Sequence, residues 1–162
     1  SFAEDMARRG MSLRSVWLDR GIYQPSPQET LVLGLSADER VARIARLRIS
    51  GDSPLAIERA ALSTAVLPDP EAIGTSLYSH LDRDGNRPVR ARQRIRAANL
   101  GEDDAALLQV PAGAAGLYIE RISFLGSGQV IEFTRSIYRG DTYDFVAELR
   151  IGDGHAAGPM RP

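Results

Sequence analysis

Four polar side chains recur at every second position of the run VIEFTRSIYR: Glu132, Thr134, Ser136 and Tyr138. At a period of two they share one face of a strand, with Ile131, Phe133, Arg135 and Ile137 on the other. An acid, two hydroxyls and a phenol in one row suit the lining of a polar ligand pocket better than a routine solvated face. Arg46 and Arg48 form a second such row, two apart in VARIARLRIS, with Glu58 across a hairpin. Two guanidiniums on one face can grip a phosphate or carboxylate, because the planar fork matches those oxygens. Cross-strand Arg–Glu pairing on a wet sheet, worth less than about 1 kcal/mol per pair, accounts for the same spacing. Ser76 and Tyr78 open the run SLYSHL. A hydroxyl and free amides at a helix start can receive an anion; a Ser N-cap beside a core Tyr is the plainer account.

Other chemistries find fewer candidates. Cysteine is absent, which removes disulfides, thiolate nucleophiles and Cys-ligated metals and fits a cytoplasmic origin. All 20 basic residues are Arg, as expected of a GC-rich genome, so Schiff-base and P-loop lysines are excluded. His80 and His155 share no metal spacing and form no Ser–His pair, so no metal, cofactor or catalytic residue is expected. Gly126-Ser127-Gly128 is a hairpin turn, since no helix follows it. Arg139-Gly140-Asp141 matches a cell-adhesion tripeptide, but a turn explains it better. Arg90, Arg92, Arg94 and Arg96 line one strand face over about 20 Å. With no interleaved aromatics and a net charge of −1, a solvated or subunit-contact face is preferred to a nucleic-acid stripe.

The elements that must position these residues follow from local signals. The 162 residues, 43% hydrophobic and 25% charged, are expected to form one domain over 1–150 and a flexible tail over 151–162. No run of about 18 apolar residues is present for a transmembrane helix, and SFAEDMARRG is no secretory signal. The missing initiator Met is expected of a fragment. Glu4 to Arg9 reads as a short helix and Ser12 to Ile22 as a strand. Ser26-Pro27-Gln28-Glu29 is a capping box opening a helix to about Leu33, stopped by Gly34. Ser36 to Glu39 repeats the box pattern before a β-like run and reads as a turn. Arg40–Ile49 and Leu55–Ser63 make a hairpin. A helix over Ser76–Asp82, a strand over Val89–Asn99 and a helix over Gly101–Gln109 follow, the last with acids in its first turn. Two strands across Gly126–Gly128 come next, then a third short element after Asp141. Hairpins mixed with helices, without a βαβ repeat, predict an α+β domain on an antiparallel sheet.

In this order SFAEDMARRG, LGL, RIARLRISGDSPLAIERA, SLYSHL and VIEFTRSIYRGDTYDF resemble the UTRA domain, the effector-binding module of HutC-type regulators in the GntR superfamily. The match spans Ser1 to about Leu149, and its last block is the most specific. The resemblance implies a chorismate-lyase-like fold, with an antiparallel sheet flanked by helices and a pocket between them. In members that sense sugar phosphates, the residues matching Arg46, Arg48 and Ser76 hold the phosphate. Those matching Glu58, Tyr78, Glu132 and Tyr138 hold the sugar or close the site, and the position of Phe2 also lines it. The chain departs at Ala3, where a hydroxyl is common, leaving a carboxylate or other small polar effector open beside a sugar phosphate. Its arginine stripe also replaces an acid-rich segment. The resemblance further implies a homodimer that meets operator DNA only through an N-terminal winged helix-turn-helix outside this chain. The expected function is therefore capture of a small anionic effector, without catalysis and without membrane contact. A dimerisation module with a vestigial pocket and a chorismate-lyase-like enzyme are the alternatives.

Overall fold

The antiparallel hairpins expected from the sequence join in one sheet, and helices pack on both of its faces. In the computed structural model, residue 10 and residues 12–74, 76–146 and 148 are described. The predicted helix over Glu4–Arg9, the positions of Phe2 and Ala3, and the tail over 151–162 lie outside these. The strands are β1 (Leu13–Tyr23), β2 (Val41–Ser50), β3 (Ser53–Ser63), β4 (Arg90–Asn99), β5 (Ala115–Phe124) and β6 (Val130–Arg139). The helices are α1 (Pro27–Leu33), α2 (Leu77–Arg83) and α3 (Glu102–Leu108), with one 3-10 turn at Pro70–Ala72. The sheet order is β1-β2-β3-β6-β5-β4, antiparallel at every pairing. β6 therefore sits at the centre, between β3 and β5.

Helix α1 starts where the capping box predicts. Ser26 Oγ accepts from the Glu29 amide, the Glu29 carboxylate accepts from the Ser26 amide, and Gly34 closes the helix at φ 66°, a conformation strained for other residues. Glu29 does a second job. It is buried and paired with Arg43 by two bonds of 2.9 and 2.7 Å, which ties α1 to β2. Ser36–Glu39 is a turn, as its sequence context predicts, with the Ser36 amide donating to Glu39 at 2.6 Å.

The two sheet faces carry separate cores. On one, Leu33 of α1 and Leu35 just after it pack on Val41, Ala61, Ile122 and Phe133. On that same face α3 packs through Ala105 and Leu108 on Leu47, Ile57 and Ile137. The opposite face is covered by α2, whose Leu77 and Leu81 meet Ala42, Ile44, Ala60 and Leu62. Helices on both sides explain why β6 is buried along both its rows. One expectation is overturned. Among the described residues no strand or helix follows Arg139, because the chain turns at Gly140 and continues irregularly.

Candidate functional site

Hairpin register brings the arginines and their acid together. Across β2–β3, Arg46 lies opposite Glu58 and Arg48 opposite Ala56, so both guanidiniums share the face that α2 covers. Arg46 Nη2 donates to Glu58 Oε1 in a very short contact, and Arg48 Nη2 reaches the same oxygen at 3.2 Å. This is no wet-surface pairing: the side chains of Arg46 and Arg48 are only 6% and 11% exposed, and Glu58 15%. Burial pushes the Glu58 carboxyl up, but Arg46 and Arg48 more than reverse this and hold it below the ordinary carboxylate range. One carboxylate thus serves two guanidiniums. Among the described residues the buried Nε donors of both arginines have no hydrogen-bond partner, which is costly unless something else accepts from them.

The strand beside them supplies the second half. Glu58 pairs with Ser136 across β3–β6, and Ala56 with Tyr138, so the polar row of β6 continues the floor begun by Arg46 and Arg48. All four residues of that row are buried. Burial raises the Tyr138 phenol far above its ordinary value, and the Glu58 charge adds to this, so the hydroxyl stays neutral and able to donate. Glu132 is the hub at the other end. Its Oε2 accepts from Tyr78 Oη and Ser123 Oγ, both at 2.9 Å, and its Oε1 from Thr134 Oγ1 at 2.7 Å. Tyr78 therefore locks α2 to the sheet. Its phenol is also raised, chiefly by burial and then by the Glu132 charge.

The residues singled out in sequence fall into two groups. Arg46, Arg48, Glu58, Glu132 and Tyr138 share the sheet face on which α2 packs, and Tyr78 joins them from α2. Ser76 is at the start of α2, but as an exposed N-cap whose Oγ accepts from the Ser79 amide at 3.2 Å. Phe2 lies outside the described residues. The arginine stripe of β4 is exposed on the opposite face, with Arg90 stacked 4.0 Å from the Phe124 ring and Arg96 4.3 Å from that of Tyr118.

Four residues of the site face escaped the sequence reading. Ser15 accepts from Arg48 Nη1 at 2.7 Å, and Trp17 lies under Arg46, 5.4 Å from ring to guanidinium carbon. Arg121 and Ser123 stand opposite Thr134 and Glu132 across β5–β6. Counting back from the Gly126–Gly128 turn would have put these two beside the row. For Ser15 and Trp17 there was no such signal, because a bulge between Trp17 and Asp19 resets the alternation of β1.

A family model described as the UTRA domain matches residues 8–144. The chain is 31% identical over 149 residues to the HTH-type transcriptional repressor NagR of Bacillus subtilis, covering 90% of this chain and 61% of that protein. With the HTH-type transcriptional regulator GgaR of Escherichia coli strain K12, identity is 24% over 147 residues, covering 91% and 59%. The chain thus spans about three fifths of the length of the curated relatives it matches. Among solved structures, the ligand-binding domain of a GntR-family regulator from Bordetella bronchiseptica aligns with a TM-score of 0.80 at 26% identity, covering 86% of this chain and 90% of that one. The effector domain of PhnF from Mycobacterium smegmatis shares the fold, with a TM-score of 0.87 at 24% identity over 93% of this chain and 95% of that one. UTRA domains of such regulators are not enzymes, which sets the lyase alternative aside. The chain belongs to the UTRA family and is the effector-binding domain of a GntR-family transcriptional regulator.

Proposed function

We propose that the domain binds a small anionic metabolite, a sugar phosphate or a carboxylate, between the sheet and α2. The observation that carries this reading is the buried pair Arg46 and Arg48, which share one carboxylate and each keep an unpartnered Nε. An oxyanion there satisfies both donors and balances the second charge. Glu58, Tyr78, Glu132 and Tyr138 read the hydroxyl or amine groups of the bound molecule. By the family resemblance, Ser76 is a further candidate for the anionic group and Phe2 a further candidate for the bound molecule. Through a HutC-type homodimer in the cytoplasm, occupancy of the pocket controls operator binding by an N-terminal winged helix-turn-helix domain. The effector can do so only by its differential affinity for the two arrangements of the regulator.

Titration calorimetry of the purified domain against sugar phosphates and small hydroxycarboxylates tests the reading. Binding by at least one class is expected, with Arg46→Ala and Arg48→Gln each weakening it by tenfold or more, since a charge-assisted contact is worth about 1.5–3 kcal/mol. Unchanged affinity in Arg46→Ala would remove the anion site. A complete absence of binding would favour a dimerisation module with a vestigial pocket.

A further inference from the structure

Each arginine of the β2 pair is flanked by two strands. On the β3 side Glu58 serves both. On the β1 side Ser15 accepts from Arg48, and Trp17 stands opposite Arg46 in the β1–β2 register. The Arg46 guanidinium carbon lies over the Trp17 ring, 5.4 Å from its centroid. At that range the negative face of an aromatic ring attracts a cation, and indole does so most strongly.

The ring is itself fixed. It is half-buried and packs against the cluster that contains Ile44 and Leu77. The bulge between Trp17 and Asp19 sets Arg20 opposite Ile44, two residues from Arg46 on β2. Trp17 and Arg20 therefore share the site face although they are three apart, where a regular strand would turn one of them away. Arg20 lies over the same ring at 4.7 Å, and its Nη1 donates to the Glu71 carbonyl at 3.0 Å, in the 3-10 turn. The Arg46 guanidinium is thus held twice, at a terminal nitrogen by Glu58 and at one face by the indole. An arginine already standing in one orientation loses less freedom when an anion arrives, and its remaining donors lie in the plane of its fork.

We propose that Trp17 is a positioning residue of the anion site, holding the Arg46 guanidinium in its binding orientation before the effector enters. The bulge in β1 and the Arg20 contact keep the ring in place for that task. Trp17 is the single tryptophan of the chain, so an oxyanion drawn onto Arg46 changes the field at the ring and shifts the emission of the whole domain. This inference rests on the anion reading of Arg46 and Arg48, and adds to it the residue that fixes one of the two.

Calorimetry and tryptophan fluorescence on the domain test it, with inorganic phosphate, glucose 6-phosphate and citrate as probes. At least one probe is expected to bind the wild type, with an emission shift that saturates over the same concentrations as the heat. Trp17→Leu should weaken that binding by about threefold to tenfold, and Trp17→Phe, which keeps a ring face, by less. Leu18→Ala controls for a general loosening of β1. Leu18 lines a cleft with Arg43 and Leu107 on the face that α1 and α3 cover, and its truncation should leave the affinity unchanged. The emission is read on the wild type and does not depend on any variant folding. Unchanged affinity in Trp17→Leu, an equal loss in Leu18→Ala, or constant emission while the heat records binding overturns the role of Trp17 and leaves the Arg46–Arg48 site standing. If no probe binds the wild type, both readings fall together.

Discussion

Replacing Glu58 by Gln separates the structural role of the acid from the ligand-binding role of the arginines. The substitution keeps the shape of the side chain and removes its charge, leaving two buried guanidiniums without a counter-ion. Breaking a buried pair by neutralising one partner costs about 3–5 kcal/mol. The pocket is slightly open to solvent and the amide oxygen still accepts, so the lower end, about 3 kcal/mol, is expected. For a chain of this size that lowers the melting temperature by about 6–12 °C. The same change should sharpen the response to anions, because phosphate then supplies the missing charge. Any ligand specific for the folded state raises stability, by about 2.7 kcal/mol at one hundred times its dissociation constant. Thermal unfolding followed by circular dichroism, with and without phosphate, reads both effects. The acid limb gives a further check. Because Arg46 and Arg48 outweigh burial and lower the folded carboxyl's pKa, the unfolded state binds the proton more readily. The pair's contribution is therefore full above the ordinary carboxylate range and fades as pH falls through the lower folded value. Glu58→Gln should flatten that limb. A variant as stable as the wild type, or a destabilised one that phosphate restores no better than it stabilises the wild type, refutes the reasoning.

Three more outcomes are expected. Tyr78→Phe removes the 2.9 Å bond that fastens α2 to Glu132 and should cost about 1.5–3 kcal/mol in urea unfolding, with weaker effector binding as α2 loosens. Gly140→Ala puts a Cβ only 2.8 Å from the Ala115 carbonyl oxygen, so the end of β6 must shift; a loss of about 1–3 kcal/mol should appear as a lower denaturation midpoint. The isolated domain should show no salt-sensitive DNA binding in fluorescence anisotropy at about 0.15 M salt, because Arg94 faces Glu120 and the net charge is −1. Tight duplex binding lost on neutralising Arg90, Arg92, Arg94 and Arg96 would contradict this.

The sequence makes legible whatever local chemistry decides. The capping box fixes the start of α1 and Gly34 its end, because those residues satisfy their own backbone amides or tolerate a left-handed turn. The Arg46–Glu58 pairing was legible too, since a short hairpin leaves few registers open. In the same way, alternation along Val130–Arg139 separates the polar row from the apolar one before anything packs against them. None of this says where β6 lies.

Its place between β3 and β5 depends on contacts distant in sequence, and no local pattern encodes a strand order. That placement sets the row of Glu132, Thr134, Ser136 and Tyr138 beside Glu58 and hence beside the two arginines. It also decides the competing accounts of Arg46 and Arg48. On an exposed hairpin they would pair weakly with Glu58 in water; in the fold they are buried, and among the described residues their Nε donors have no partner. Ser76 shows the opposite limit, where the local N-cap reading describes what its hydroxyl does in the structure. The residue types and their two-residue spacing were thus the sequence's own contribution. Burial, charge balance and the addition of Trp17 came only from the tertiary structure, because solvent exclusion is a property of everything packed around a side chain and not of the side chain itself.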